Sequence, residues 1–324
     1  MPETKSLVVV TRKIPEAGIG LLETKFSVKV NPRNRALFAP ELKNFVKGAD
    51  AILSMLTDKI DKNILSAAGK QLKIVANYAV GFDNIDLTAA RKMRVTVTNT
   101  PGVPTEAVAE HTFALLAAIS RRLVESDRFM RQGKYQGWEP ELLLGVELQG
   151  KTLGILGLGR IGSRVAEIGA KGFGMKVIYY DRGRKNHQLD TAISSEAVTV
   201  RKLLTASDFI SLHVPLTRET AHLIGRSELS SMKKTAILIN TSRGPVVDEK
   251  ALAWALESKV IWGAAIDVFE FEPKLSPELK NLDNVIVTPH TASATIETRD
   301  AMALLAAKNI IAVLEKKPPL TPVK

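Results

Sequence analysis

The feature that most constrains this chain is a rhythm: short runs of β-branched and other apolar residues recur, each separated from the next by a stretch with helical periodicity. The early runs are residues 7–10, 51–53, 73–75 and 95–97, with amphipathic segments at 15–25, 40–47, 61–68 and 87–92 between them. Parallel neighbours need a long connection, so strand and helix alternating at this pitch predict a parallel sheet with crossover helices. A second series of runs occupies 152–156, 177–180, 209–212, 236–239, 263–266 and 285–287. Two series in 324 residues predict two domains, because one core seldom organises so long a chain.

Two long helical stretches are placed differently. Residues 105–122 follow Pro101-Gly102-Val103-Pro104, and 295–316 follow the last run of the second series and precede Pro318-Pro319. Helices at both edges of the second series read as crossings between domains. The fold class expected is therefore α/β, with two parallel-sheet domains of Rossmann-like and flavodoxin-like type and a cleft between them. The outer domain is discontinuous, 1–100 plus 292–324, and the inner one spans 101–291. The cleft is expected to close by hinge motion at the crossings 100–103 and 290–293, excluding water.

The strongest local motif is Gly157-Leu158-Gly159-Arg160-Ile161-Gly162, between the predicted strand 152–156 and a predicted helix. Gly157 permits a tight turn, Gly159 lets backbone approach a pyrophosphate, and Gly162 lets helix and strand pack closely. The helix start carrying Arg160 and Ile161 offers free N–H groups and a favourable dipole to phosphates. Asp181 lies 19 residues beyond Gly162 at the end of the next strand, where a carboxylate binds ribose hydroxyls. These residues predict a dinucleotide site. Asp181 should repel a 2′-phosphate and so favours NAD(H), while Arg182, Arg184 and Lys185 leave NADP(H) possible.

Acid–base chemistry near neutral pH points to histidine, of which there are five. His111 falls inside a helical stretch, where packing or a hydrogen bond is expected. His187 and His222 lie in polar segments. His213 ends a strand before Val214-Pro215, a position suited to touching a cofactor. His290 follows the strand 285–287, and in open α/β sheets the carboxyl edge is where ligands bind. Arg243 and Glu272 lie just beyond two other strands and share that address.

Composition excludes several classes. With no cysteine there is no disulfide, thiolate nucleophile or cysteine-ligated zinc, and no metal is expected. No apolar run reaches the roughly 18 residues that span a bilayer, and the N-terminus lacks a secretory signal pattern. The net charge of +11 comes from scattered pairs such as Arg12-Lys13 and Arg121-Arg122, which read as solvated surface rather than a nucleic-acid footprint. A cytoplasmic location, with neither nucleic acid nor membrane as partner, is the expectation.

Taken together, Asn77 through Asp86, Asn99-Thr100-Pro101-Gly102-Val103, Gly154 through Gly162, His213-Val214-Pro215-Leu216, Asn240 through Asp248, Gly263 through Glu270, Thr288-Pro289-His290 and the closing Pro318-Pro319-Leu320-Thr321-Pro322-Val323 carry a further meaning. In this order they resemble the D-isomer-specific 2-hydroxyacid dehydrogenase family, most closely its glyoxylate/hydroxypyruvate reductases (glycerate dehydrogenases). The resemblance implies NAD(P)H-dependent, reversible reduction of glyoxylate or hydroxypyruvate to glycolate or D-glycerate. It assigns catalysis to Arg243, Glu272 and His290, with His290 as the acid/base. It places Leu56 and the backbone of Val80 and Gly81 against a small anionic substrate. Thr105, His213, Thr241 and Asp267 match positions lining the cofactor. Trp138 resembles a tryptophan reaching into a partner's pocket, which implies a homodimer. One departure stands out: Thr291-Ala292-Ser293 follows His290 where isoleucine, glycine and serine are usual, so Ala292 bears on backbone approach to the nicotinamide. The alternatives are a dehydrogenase for another 2-oxoacid, 3-phosphoglycerate or phosphite, or a non-enzymatic NAD-sensing protein like the corepressors of this fold.

Overall fold

A computed structural model describes residues 5–33, 35–182 and 186–323. The elements run β1 (Leu7–Val10), α1 (Glu16–Glu23), β2 (Ser27–Val30), α2 (Ala39–Phe45), β3 (Ala51–Ser54), α3 (Lys62–Ala68), β4 (Ile74–Asn77), α4 (Leu87–Lys92), β5 (Thr96–Thr98), α5 (Thr105–Ser120) and α6 (Leu123–Arg131). They continue β6 (Thr152–Leu156), α7 (Arg160–Phe173), β7 (Lys176–Tyr180), α8 (His187–Ile193), β8 (Glu196–Ala197), α9 (Val200–Ala206), β9 (Phe209–Leu212), α10 (Arg226–Ser231), β10 (Ile237–Asn240), α11 (Glu249–Glu257), β11 (Gly263–Ile266), β12 (Val285–Val287) and α12 (Ile296–Leu314). Two compact units result: Met1–Pro104 with Ala294–Lys324, and Thr105–Ser293.

In the first unit five parallel strands lie in the order β2-β1-β3-β4-β5, the flavodoxin-like winding. Strands β3 and β4 are buried along their whole length, so they read as continuous apolar runs rather than alternating ones. Successive side chains still go to opposite faces. Val8, Val10, Leu53 and Ala76 pack with Ile19 and Leu22 of α1 and Ala303 and Ile310 of α12. Val9, Ile52 and Val75 pack with Leu42 of α2 and Leu65 of α3. The strand β2 has no counterpart among the sequence expectations. It is a four-residue edge strand, Ser-Val-Lys-Val, with alternating exposed positions and a lysine, and so carries little apolar signal.

The second unit holds seven parallel strands in the order β12-β11-β10-β9-β6-β7-β8, the Rossmann winding extended by one strand. The sheet grows outward in both directions from the β6/β9 boundary, which is the switch point. Leu156, Leu212, Leu238 and Ile266 face α9, α10 and α11 through Leu203, Leu229 and Leu252. Ile155, Phe209, Ile239 and Ala265 face α5 and α7 through Phe113, Leu116 and Val165. The long helix expected over 105–122 stops at Ser120 because Arg122 is left-handed, at φ 53°; α6 then starts afresh with no buried residue. This nine-residue helix, whose apolar side chains are left largely uncovered, has no counterpart among the sequence expectations. The two-residue β8 is too short to give a periodic signal.

Helices α1 and α12 touch at Gly18, where a Cβ would stand 2.8 Å from Ala303 Cβ and 2.9 Å from Ala303 O. The backbone oxygen cannot yield as a flexible side chain would. Gly18→Ala should therefore cost about 1–3 kcal/mol by overpacking, read as a lower urea midpoint. An unchanged midpoint would show that the helices separate freely.

Candidate active site

The glycine turn joins β6, the strand at the switch point, to α7. Gly157 is left-handed at φ +97°, and a Cβ there would meet His213 O at 2.7 Å. A Cβ on Gly162 would stand 2.0 Å from Gly157 O, so only glycine lets the helix start so close to the strand end. At Gly159 a Cβ would meet nothing within 4 Å, which leaves open space against bare backbone. Gly159 caps α7 without a side-chain hydrogen bond, so no side chain occupies the helix end where Arg160 is exposed and Ile161 half-buried. Open backbone and an uncapped helix start fit a pyrophosphate.

Asp181 follows β7, and its Oδ2 accepts a hydrogen bond from Leu158 N at 2.7 Å, which holds the carboxylate beside the turn. Arg182 is exposed, 3.9 Å from Glu219. Arg184 and Lys185 lie outside the described residues. His213 N donates to Leu156 O at 2.7 Å and its Nε2 lies 2.8 Å from Ser211 Oγ. Burial pushes this imidazole down to about 3, so it is neutral. Val214 packs toward Gly157, and Pro215 O accepts from Thr220 Oγ1. Thr105 is the first residue of α5. Thr112 Oγ1 donates to Val108 O, so Thr241 Oγ1, 3.0 Å away, gives its proton to Thr112.

Strands β10, β11 and β12 are neighbours in parallel register, so their carboxyl ends lie side by side and bring together residues far apart in sequence. Arg243 follows β10. Its loop is shaped by Asn240, whose Oδ1 accepts from Ser242 N (3.0 Å) and whose Nδ2 donates to Arg243 O (3.0 Å). Glu272 follows β11, with Oε1 accepting from Phe269 N at 3.1 Å. His290 follows β12, left-handed at φ 53°, with its N–H directed at Asp267 O, 2.8 Å away. Its Nδ1 lies 3.0 Å from Glu272 Oε2. Burial pushes the Glu272 carboxyl up, but the His290 hydrogen bond and charge, Phe269 N–H and the Arg243 charge outweigh it and hold the group below its usual value. An ionised Glu272 accepts a hydrogen bond from Nδ1–H, which leaves Nε2 as the nitrogen available for exchange with a ligand.

Asp267, expected to line the cofactor, has no exposed surface. Its Oδ1 accepts from Thr288 Oγ1 (2.6 Å) and Thr291 N (2.8 Å), its Oδ2 from Ala292 N (2.8 Å), and His111 Nε2 lies 3.4 Å from Oδ1. It shapes the His290 turn from beneath. Ala292 is buried and is not left-handed, so its methyl group causes no backbone strain. Sequence reasoning gave His111 only a packing or hydrogen-bonding role and did not connect it with this turn. It also missed the pairing of His222 with Glu270 at 2.7 Å. The second oxygen of Glu270 accepts from Glu249 N at 3.2 Å, and Ser276 Oγ donates to Glu249 Oε2 at 2.6 Å. This network braces the loop that carries Glu272; partners 48 positions apart leave no local pattern to read.

In the first unit Leu56 and Val80-Gly81 follow the adjacent strands β3 and β4. Asn77 Nδ2 donates to Gly81 O at 2.8 Å and Asn99 Nδ2 to Val80 O at 2.7 Å. Both carbonyls are thus pinned, while among the described residues no acceptor takes the N–H of Val80 or Gly81. Asn84 Nδ2 ties the same loop to Met55 O and Asp58 O, next to half-buried Leu56. Trp138 is 82% exposed, amid a run of exposed apolar residues including Leu123, Met130, Tyr135 and Leu144. A cavity of about 760 Å³, lined by Arg122, Lys234, Trp262 and Asp283 among others, sits at the opposite, amino edge of the second sheet. Among the described residues there is no metal-ligating cluster and no helix long and apolar enough to cross a membrane.

His213 carries a pH signature. Its folded pKa lies below the unfolded 6.5, so its contribution to stability is complete above about pH 6.5 and is lost as pH falls towards about 3. His213→Gln should therefore lose less stability than the wild type over that window, measured by thermal unfolding at each pH. Parallel curves would show that His213 is protonated in the folded protein.

The family model for the D-isomer-specific 2-hydroxyacid dehydrogenase NAD-binding domain matches residues 113–292. A glyoxylate reductase of Thermococcus litoralis is 52% identical over 312 residues, covering 95% of this chain and 93% of that protein. A crystal structure of a Thermus thermophilus protein superposes with a TM-score of 0.90 at 44% identity, covering 98% of this chain and 100% of that one. An NADPH-dependent glyoxylate/hydroxypyruvate reductase of Sinorhizobium meliloti, solved with NADP and malonate, gives 0.85 at 32% identity, covering 98% and 97%. The strand orders, the glycine turn and these matches agree: the chain belongs to the D-isomer-specific 2-hydroxyacid dehydrogenases, and is an oxidoreductase that uses a nicotinamide cofactor.

Proposed function

We propose that this enzyme reduces glyoxylate and hydroxypyruvate to glycolate and D-glycerate, and catalyses the reverse. The observation that carries the reading is the Glu272–His290 pair beside Arg243 at one strand edge. The nicotinamide, when bound, supplies the hydride that adds to the keto carbon. Arg243 holds the substrate carboxylate and polarises the keto oxygen through paired donors, a geometry lysine lacks. His290 Nε2 gives that oxygen a proton, and takes it back in oxidation. Glu272 fixes the ring orientation through its bond to Nδ1.

Val80 and Gly81 offer their free N–H groups to the substrate carboxylate, and Leu56 limits the space beside it. The first unit, with functional bounds 1–100 and 292–324, serves substrate; residues 101–291 serve the dinucleotide. Gly157, Gly159, Arg160, Ile161 and Gly162 hold the pyrophosphate, and Asp181 the ribose. Thr105, His213, Val214, Pro215, Thr241 and Ala292 line the remainder, with Asp267 acting from below. Asp181 favours NAD(H); Arg182 and its neighbours, and the NADPH dependence of the Sinorhizobium relative, keep NADP(H) as a second cofactor. The exposed apolar run around Trp138 supports a homodimer in which Trp138 reaches the partner's substrate pocket.

Oxidation of NADH and NADPH against glyoxylate, hydroxypyruvate, pyruvate and phenylpyruvate, followed by absorbance, tests the reading. Faster turnover of the first two, with NADH ahead of NADPH, is expected. NADH binding without turnover of any of the four would overturn it.

A further inference from the structure

The closing motif of the chain has no part in the chemistry above, yet it is tied to the loop that meets the substrate. Asn309 of α12 is fully buried. Its Oδ1 accepts from Leu320 N (2.9 Å) and Thr321 N (3.0 Å), and its Nδ2 donates to Thr321 Oγ1 (2.8 Å) and Leu305 O (2.9 Å). Two donors and two acceptor sites are the whole capacity of an amide side chain, so Asn309 is committed to holding this segment. Thr321 in turn grips Asn99 from both sides. Its Oγ1 donates to Asn99 O at 2.6 Å, and its carbonyl accepts from Asn99 N at 3.3 Å. Continuing the antiparallel pairing on one flank, Thr98 bridges Pro322 and Val323 N donates to Val97 O at 2.8 Å. With its backbone clamped, Asn99 extends its side-chain amide to Val80 O.

We propose that residues 320–323 form a strap that positions the Val80-Gly81 loop for the substrate carboxylate, with Thr321 as the positioning residue acting through Asn99. The proposal rests on the reading that Val80 and Gly81 bind that carboxylate. A segment needed only to cover the edge of β5 would require backbone pairing alone. Here a threonine hydroxyl is placed where it accepts from Asn309 and delivers its single proton to the residue that pins Val80 O. A loop whose carbonyls are both pinned presents its N–H groups in one direction, and small misplacements of such donors weaken binding of the carboxylate disproportionately. Removal of the hydroxyl frees the Asn99 peptide to rotate and the loop to sample other orientations.

Thr321→Val keeps the shape of the side chain and deletes the hydroxyl; Thr321→Ser keeps the hydroxyl. Glyoxylate kinetics, NADH affinity and amide hydrogen exchange at Asn99 and Val323, whose N–H groups donate to Thr321 O and Val97 O, would be measured for both variants and the wild type. Thr321→Val should raise the glyoxylate KM about tenfold, the scale of one hydrogen bond to a charged group. Exchange at the two amides should quicken, with kcat and NADH affinity within about twofold of wild type, and Thr321→Ser should restore both values. Unchanged exchange, or faster exchange with an unchanged KM, would overturn the proposal. So would a parallel loss of KM, kcat and NADH affinity, which marks a merely structural role. Failure of the substrate reading is a separate result: the wild type would turn over no 2-oxoacid, and the exchange rates alone would decide whether the strap holds Asn99.

Discussion

The candidate site depends on one buried carboxylate. Asp267 stands at the end of β11 with no surface in water, where burial alone would favour its neutral form. His111, Thr288 Oγ1 and the N–H groups of Thr291 and Ala292 outweigh that cost and hold it below its ordinary value. Its folded pKa lies below the unfolded one, so the stabilisation is present at neutral pH and is lost only as acid protonates the group. Through these bonds a single side chain joins α5, β11 and the turn after β12. That turn carries His290 in a left-handed conformation, which costs free energy for a residue with a Cβ. The donors around Asp267, together with the His290 N–H directed at its carbonyl, hold the turn in place.

What the carboxylate fixes, the sheet aligns. Parallel strands all present their carboxyl ends at one edge, so Arg243, Glu272 and His290 need no proximity in sequence to meet. The glycine turn after β6 opens at the same edge of the same sheet, and Gly157 and Gly162 admit no Cβ there. A similar logic operates in the first unit, where Leu56 and Val80-Gly81 follow adjacent strands. In both units side-chain amides, Asn240 in one and Asn77 and Asn99 in the other, occupy backbone groups of the loops and so fix which polar atoms remain available.

The architecture was legible because its signals are local. Fully buried strands such as Ile-Val-Ala-Asn read as apolar runs, and the glycine turn announces itself by spacing and by Asp181 downstream. Elements lacking such signals escaped: the lysine-bearing edge strand β2 and the two-residue β8. The helix α6, which buries no residue, escaped as well. The catalytic candidates were legible through their strand-end addresses. Their supports were not. His222 with Glu270, His111 with Asp267, and Thr321 with Asn99 are pairs joined only by folding, and each half alone looks like an ordinary polar residue. Asp267 shows the converse: its address at the end of β11 was readable, but its burial was not.

The central claim is that His290 delivers the proton to the keto oxygen at a site that binds cofactor independently of it. A single-turnover measurement of NADH oxidation by glyoxylate in His290→Gln tests this most directly, with NADH affinity measured alongside. Glutamine keeps much of the side chain's reach and cannot act as an acid at neutral pH. The rate of the chemical step should fall by about a hundredfold or more, the usual contribution of general acid catalysis, with NADH affinity unchanged. A rate within a few-fold of the wild type would contradict the account and place the proton donor elsewhere.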